Sequence, residues 1–163
     1  MTRIGLALTF ALVALSGLSQ PARAQDQKAG IAAAVNPKAQ SQPPNEKMQI
    51  LKVGQNVIRN ERITTQNEGQ VQLLFVDGST LTLGPNSEIV IDEYVYDPKT
   101  KTGSMTTTVA AGLLRYVGGK ISKTNPVNFN TPSGVITVRG GIGIIRVNRR
   151  PSGTAEGDPA KSQ

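Results

Sequence analysis

Few side chains in this 163-residue sequence could do covalent chemistry, because it contains neither cysteine nor histidine. Without cysteine the chain offers no thiolate nucleophile, no disulfide bond and no cysteine-ligated metal. Without histidine it lacks the imidazole base of a Ser-His-Asp triad and the commonest protein ligand for transition metals. The groups that remain are carboxylates, hydroxyls, lysines and arginines, so their spacing decides which chemistry is open to the chain.

The acidic residues do not form a recognisable catalytic or cation-binding pattern. Asp92, Glu93 and Asp97 are close in sequence, but neighbouring strand residues point to opposite faces, and no Asp-x-Asp-x-Asp-Gly calcium loop is present. Ser122 and Lys123 are adjacent, and the same divergence separates their side chains. A pair of carboxylates that converges across the fold is neither shown nor excluded. The sequence therefore predicts no catalytic residue, no metal site and no cofactor.

Residues 1–24 have the pattern of a secretory signal peptide. Arg3 supplies a positive charge, residues 4–18 are apolar and uncharged, and Ala22-Arg23-Ala24 places small residues where a signal peptidase reads them. The apolar run is shorter than the about 20 residues of a membrane-spanning helix. We expect cleavage after Ala24, which lowers the net charge from +7 to +5. The expected location is the bacterial periplasm or the exterior, with no transmembrane span after cleavage.

Two polar segments flank the part of the chain that can form a core. Residues 25–49 are dominated by Gln, Ala, Pro, Lys and Asn, and we expect a disordered linker in which residues 31–35 form at most one helical turn. Residues 149–163 contain no large apolar side chain and are expected to be a disordered tail. Nearly all large apolar residues after the signal peptide lie in residues 50–148, which is enough for one modest domain.

Residues 50–148 have the pattern of strands joined by turns. Residues 70–76 and 80–83 alternate between apolar and polar, and the Asp-Gly between them is a strong hairpin signal, typical of a tight primed turn. Alternation continues through residues 88–96, and turn residues recur about every 8–12 positions. The sequence predicts an all-β domain of short antiparallel strands, arranged as a sandwich, a roll or a short β-helix-like fold.

The remaining strands and the inward side chains are also predicted. Further strands are expected at residues 104–109, 113–117, 127–131, 135–139 and 142–147. The residues expected to face the core are Val71, Leu73, Phe75, Leu81, Leu83, Ile89 and Ile91. The order of the strands in the sheet does not follow from the sequence.

Four segments between Val53 and Val147 resemble, in order, the FecR domain family. The residues that carry the resemblance are Val53-Gly54 with Arg62-Ile63-Thr64-Thr65, the block 71–87 with Asp77-Gly78-Ser79 and Pro85-Asn86-Ser87, the segment Gly112-Leu113-Leu114-Arg115, and Thr131-Pro132 with Arg139-Gly140. Where the family usually has a threonine after Arg-Gly, this chain has Gly141. We expect the motif residues to be mainly structural.

The resemblance implies a regulatory domain of the cell envelope rather than an enzyme. Regulators of this family combine a cytoplasmic anti-sigma segment, one membrane span and a periplasmic part that contacts an outer-membrane transporter. This sequence resembles only the periplasmic domain. We expect a non-catalytic domain that acts through contact with an envelope protein, in signalling or regulation. The alternative is a structural or glycan-binding module of the cell envelope with no signalling role.

Arg115 and Arg139 are the candidate contacts for that partner. Both match the family pattern and both are predicted within apolar strands. In the structural interpretation, such an arginine faces outward or is hydrogen-bonded so that it fixes a loop. In the functional interpretation, its planar guanidinium binds carboxylates of a partner. The net charge is spread along the chain apart from Arg149-Arg150, and basic residues are not interleaved with aromatic ones. Nucleic acid is therefore not an expected partner, whereas weak, salt-dependent attraction to anionic surfaces is.

Overall fold

The computed structural model describes residues 28–37 and 39–149, so the expected signal peptide and residues 150–163 of the expected tail lie outside the described residues. Within these ranges the chain forms twelve strands and one short helix. In chain order they are β1 (Lys28–Val35), β2 (Ala39–Gln42), β3 (Gln49–Ile50), β4 (Asn56–Ile58), β5 (Arg62–Thr65), β6 (Val71–Phe75), β7 (Thr80–Leu83), β8 (Glu88–Asp97), β9 (Thr102–Val117), α1 (Lys120–Thr124), β10 (Val127–Thr131), β11 (Gly134–Val138) and β12 (Ile142–Val147). No helix in the described ranges is both long and apolar enough to cross a membrane.

The strands form one curled, mainly antiparallel sheet with β9 near its centre. The order along the sheet is β3-β2-β5-β8-β9-β7-β6-β1-β4. The first part of β9 pairs with β8 and, in parallel, with β10, whereas its last part pairs with β7 and β12. Within the described chain β11 pairs only with β10, and β12 pairs only with β9. These two strands are therefore edges of the sheet, and the all-β prediction is confirmed.

The core lies on the inner side of the curl, and the predicted strand facing is confirmed. The seven residues expected to face inward are each at most 2% exposed. Phe75 of β6 stacks on Tyr94 of β8, with ring centroids 5.4 Å apart. Tyr116 of β9 packs edge-to-face on Phe129 of β10, with centroids 5.3 Å apart. Phe75 and Tyr94 lie on strands that are not neighbours in the sheet. Tyr116 lies on the last part of β9, whereas β10 pairs only with the first part. Each ring contact therefore joins parts of the sheet that are not hydrogen-bonded to each other, and the two contacts hold the curl closed.

The expected disordered linker over residues 25–49 is wrong for its described part. Residues 28–35 form β1, which pairs with β4 and β6, and residues 39–42 form β2, which pairs with β3 and β5. The helical turn expected at residues 31–35 is likewise strand. The sheet therefore extends well beyond the N-terminal boundary expected for the domain at residue 50.

The small side chains of β1 and β2 explain why the sequence pattern did not predict these two strands. Ala29, Ala32 and Ala39 are all buried against the core, although alanine carries little hydrophobic or strand signal. A Cβ atom on Gly30 would overlap the backbone carbonyl of Leu74 on the neighbouring strand. The close approach of β1 to β6 thus requires residues that in isolation are typical of a linker.

The middle of the chain differs from expectation at two places. The strands predicted at 104–109 and 113–117 are the two parts of β9, which runs for 16 residues. In β8 a bulge between Ile91 and Glu93 breaks the alternation: Asp92 is partly buried, with its Oδ2 atom buried, whereas Glu93 is exposed. In the described residues no group of three acidic side chains is arranged to hold a metal ion.

Candidate functional site

Asp77, in the turn between β6 and β7, is a buried centre of hydrogen bonds. Its Oδ1 accepts the N–H of Ser79 at 3.1 Å, the hydroxyl of Ser79 at 2.6 Å and the hydroxyl of Tyr94 at 3.3 Å. Its Oδ2 accepts the backbone N–H of Ile121 in α1 at 3.1 Å. One carboxylate, only 1% exposed as a residue, therefore connects the β6–β7 hairpin, β8 and α1.

The Asp77-Gly78-Ser79 turn has a different geometry from the primed turn expected. Gly78 alone of its residues has a positive φ, +83°. Its N–H donates to the carbonyl of Phe75 at 3.0 Å, and the N–H of Phe75 donates to the carbonyl of Ser79 at 2.9 Å. This pattern is a three-residue loop that ends in a left-handed glycine. It leaves Asp77 free to turn its side chain into the core.

The Pro85-Asn86-Ser87 turn is held by Thr65 at the end of β5. The hydroxyl of Thr65 donates to the carbonyl of Gly84 at 2.7 Å and accepts the N–H of Ser87 at 2.9 Å. The hydroxyl of Ser87 donates to the same carbonyl at 2.8 Å. Asn86 takes a φ of +54°, a conformation that asparagine tolerates better than most residues.

Gly112 is required because β9 passes directly over this turn. Its φ is +116°, and a Cβ atom added there would overlap the side chain and the Cα of Ser87. The position also lies where β9 changes partners from β8 to β7. Gly112 and Ser87 thus form one structural contact, although they belong to separate segments of the sequence.

The Thr131-Pro132 pair shapes the turn between β10 and β11. The hydroxyl of Thr131 donates to the carbonyl of Gly134 at 2.8 Å and accepts the N–H of Ser133 at 3.3 Å. Pro132 and Ser133 are the two residues of the loop, because Thr131 and Gly134 are paired in the ladder. These bonds order an exposed hairpin and involve no buried group.

The turn between β11 and β12 is built from two left-handed glycines. Gly140 and Gly141 both have a φ of +67°. The N–H of Gly140 donates to the carbonyl of Ser122 in α1 at 2.7 Å, and the N–H of Gly118 donates to the carbonyl of Gly141 at 2.8 Å. A β-branched residue rarely adopts such a φ, so Gly141 suits this turn in a way that threonine would not.

Both candidate contact residues, Arg115 and Arg139, are exposed. Arg115 lies on β9, in register with Thr82 of β7 and Ile144 of β12. Arg139 follows β11 and lies in the turn to β12, rather than within a strand as expected. Neither guanidinium forms an ion pair or a hydrogen bond with another described residue. Both are available to a partner, and their role stays a prediction.

The comparison with protein families agrees with the motifs described above. A model of the FecR protein family matches residues 61–155, more than half of the sequence. The chain belongs to the FecR family. Comparison with curated proteins and with solved structures finds no match. FecR is a regulatory family of the cell envelope: its domain occurs in envelope signalling regulators, and FecR proteins interact with envelope or signalling proteins.

Most FecR motif residues in this chain have internal partners. Asp77, Ser79, Ser87 and Thr131 use their side chains to hold turns, and Gly78, Gly112 and Gly140 provide backbone conformations that other residues avoid. Sequence reasoning missed Tyr94 and α1 as partners of Asp77. They lie 17 and 44 residues away along the chain, and no local pattern relates positions that distant.

Two tyrosine hydroxyls inside this FecR domain have raised pKa values. Burial raises the pKa of the Tyr94 hydroxyl far above its ordinary value, and burial likewise raises the pKa of Tyr116. Both hydroxyls therefore remain protonated at neutral pH. A shallow cleft of about 470 Å³ beside β1 is lined by Ala34, Val35, Asn36, Gln70, Gln72 and Thr82. None of these side chains can act as an acid, a base or a strong nucleophile.

Proposed function

We propose that this FecR chain is a non-catalytic domain, secreted into the bacterial periplasm, that binds another envelope protein in signalling or regulation. One observation carries the proposal: β11 and β12, next to the last FecR motif, are sheet edges with exposed apolar side chains beside Arg115 and Arg139. Val135 of β11 is 64% exposed and Ile144 of β12 is 72% exposed.

Edge strands of this kind are unusual on a domain that works alone. An edge presents a row of unpaired N–H and C=O groups, and monomeric proteins generally protect it with charges, proline or a covering segment. Exposed apolar residues in one region are typical of a protein-binding surface. Arginine is well suited to such a surface, because its planar guanidinium can form two hydrogen bonds with one carboxylate. These features support protein contact.

Crosslinking in living cells tests the proposed function. A tagged chain is crosslinked in its native host, and the captured proteins are identified by mass spectrometry. We expect one dominant envelope protein, whose capture is lost with Arg115→Ala and Arg139→Ala. Lys99→Ala, in the β8–β9 turn at the other end of β9, is the matched control and should leave capture unchanged. Capture only in proportion to protein abundance would contradict the proposal.

Two further measurements separate the alternatives. Both arginines are exposed, so each Arg→Ala variant should change the free energy of unfolding by less than about 0.5 kcal/mol; a larger loss would assign the arginine a structural role. Sedimentation with purified peptidoglycan at raised salt should leave the chain in the supernatant. Binding that survives the salt would favour a glycan-binding module instead.

The proposed secretion has its own test. Protein released from the periplasm should begin at Gln25 when its N-terminal sequence is read, because cleavage is expected after Ala24. Recovery of the chain with Met1 intact in the membrane or the cytoplasm would contradict the proposed location.

A further inference from the structure

The acidic residues of the described chain are confined to its first part. Every aspartate and glutamate of the described residues precedes Pro98. From there to residue 149 the sequence has no acidic residue and eight basic ones: Lys99, Lys101, Arg115, Lys120, Lys123, Arg139, Arg146 and Arg149. The even spread of net charge along the sequence therefore hides a long stretch, residues 98–149, whose charged residues are all basic.

The fold gathers most of these cations at one end of the sheet. The basic region is defined by the exposed residues Arg115, Lys120, Lys123, Arg139 and Arg146. They lie on the last part of β9, on α1, in the β11–β12 turn and on β12. Backbone hydrogen bonds from the glycines of the β11–β12 turn connect that turn with α1 and with the end of β9. The nearest strand partner, β7, carries no charged residue, so no carboxylate on it offsets this charge.

Exposed apolar side chains lie beside the cations on β12 and its neighbour. Along β12, Ile142 and Ile144 are 61% and 72% exposed, and Arg146 follows two residues later. Across the ladder, Ile144 is opposite Arg115, and Arg146 is opposite the partly exposed Leu113. The exposed face of β12 therefore presents two apolar residues followed by a cation, and the neighbouring β9 places Arg115 beside Ile144.

The outer side of β12 is also free to pair. β12 bonds to β9 on one side and to no described strand on the other. A strand added there would gain main-chain hydrogen bonds, and its alternate side chains would stand beside Ile142, Ile144 and Arg146. Cross-strand pairs favour apolar beside apolar and opposite charges beside each other. The matching strand therefore has, on the face beside β12, apolar residues next to Ile142 and Ile144 and an aspartate or glutamate next to Arg146.

We infer that the free edge of β12 accepts an extended acidic segment of a partner protein by strand addition. A carboxylate of that segment meets Arg146, and its apolar side chains meet Ile142 and Ile144. The inference rests on the proposed function and names the kind of segment that the partner presents. A second copy of this chain is a poor occupant, because it would add another arginine-bearing strand without a carboxylate.

A defined peptide tests the inference on the purified full chain. The probe is a short fluorescent peptide whose alternate residues are Glu, Val, Val and Glu, separated by threonines, and its binding is followed by fluorescence anisotropy. Two control peptides have lysine in place of glutamate, or the same sequence with N-methylated amides that cannot join a ladder. We expect only the first peptide to bind, and hydrogen exchange to show new protection of amides in residues 142–147.

Matched variants locate the site. Arg146→Glu and Ile144→Glu should each weaken peptide binding by about tenfold, because each places a like charge beside the added strand. Lys99→Glu and Val95→Glu make the same changes at exposed positions outside the basic region and should leave affinity unchanged. Arg146→Gln is a milder variant, and circular dichroism establishes that each protein is folded.

Several results would overturn the inference. Equal binding of the lysine or the N-methylated peptide would do so, as would peptide binding without protection of β12. Capture by phosphatidylglycerol vesicles in the absence of peptide binding would assign the basic region to a lipid surface, and peptide-independent dimers in sedimentation would assign it to a second copy. If no peptide binds while the cellular crosslink still depends on Arg115, the inference fails and the proposed function stands. If the peptide does not bind and the crosslink does not depend on Arg115, both the inference and the proposed function are rejected.

Discussion

The hydroxyl of Tyr94 accepts the backbone N–H of Asp77 at 2.9 Å and lies 3.3 Å from Oδ1 of the same residue, to which it donates. A tyrosine on β8 thereby satisfies two polar groups of the β6–β7 turn inside the core. The ring of Tyr94 also stacks on Phe75, at the end of β6. The FecR turn motif is thus held by a residue outside the motif, and its stability depends on the curl of the whole sheet.

Removal of the Tyr94 hydroxyl should be costly. Tyr94→Phe leaves the buried N–H of Asp77 without an acceptor, so we expect a loss of about 1–3 kcal/mol in the free energy of unfolding. Urea denaturation measures the loss. Tyr96→Phe is the matched control, because the Tyr96 hydroxyl is buried without a hydrogen-bond partner in the described structure. Its removal should cost nothing or stabilise the protein; equal losses in both variants would contradict the assigned bonds.

Phe75 should be among the most sensitive core positions. Phe75→Ala removes a buried ring that packs on Tyr94 and should cost about 3–5 kcal/mol. A domain of this size has a total stability of the order of 5–15 kcal/mol, so thermal unfolding would shift markedly. Leu74→Ala, on the opposite face of the same strand, should cost much less, since Leu74 is partly exposed. A reversed order of the two losses would show that the facing of β6 is wrong.

Gly112→Ala tests the contact between β9 and the Pro85-Asn86-Ser87 turn. The substitution combines a positive φ with an overlap on Ser87, and each effect costs about 1–3 kcal/mol. Gly134→Ala is the control, because Gly134 also has a positive φ but open space where a Cβ atom would lie. Denaturant unfolding should show the larger loss for Gly112→Ala. If the two variants lose equally, the overlap contributes nothing.

Glu61 should make the stability depend on pH. Burial raises the pKa of its carboxyl above the ordinary value of 4.5, against the lowering effect of the Ile58 N–H, which donates to Oε2 at 2.9 Å. The other oxygen, Oε1, has no hydrogen-bond partner in the described structure. Because the folded state holds the proton more tightly, this contribution to stability is full below the unfolded pKa and is lost as pH rises through the folded pKa.

A neutral residue at this position removes that dependence. Relative to the unsubstituted protein, Glu61→Gln should therefore gain melting temperature progressively as pH rises from about 4 to about 8. The measurement is a series of thermal melts of both proteins in matched buffers. Glu93→Gln, at an exposed position on β8, is the control and should follow the unsubstituted protein. A constant difference between Glu61→Gln and the parent across the range would contradict the raised pKa.

The sequence by itself determined the strands whose signals are local. In β6, β7 and β8, large apolar residues alternate with polar ones, so the inward set including Phe75, Leu81 and Ile89 could be read directly. The turn motifs identified the FecR family for the same reason, since each motif is a short run of residues that a turn requires. The exposure of Arg115 also follows from alternation, because the residues on either side of it are apolar.

Only the tertiary structure decided the features that depend on distant parts of the chain. β1 and β2 exist because β6 and β5 lie beside them, and the alanines and glycine that permit this close approach have no strand signal of their own. The bonds of Asp77 to Tyr94 and Ile121, and the packing of Gly112 on Ser87, join positions that no local period relates. The stretch whose charged residues are all basic is visible in the sequence, yet the sheet alone places Arg115 opposite Ile144 at an open edge. The local sequence determines on which face of the sheet a side chain lies, whereas long-range packing determines which distant residues it contacts.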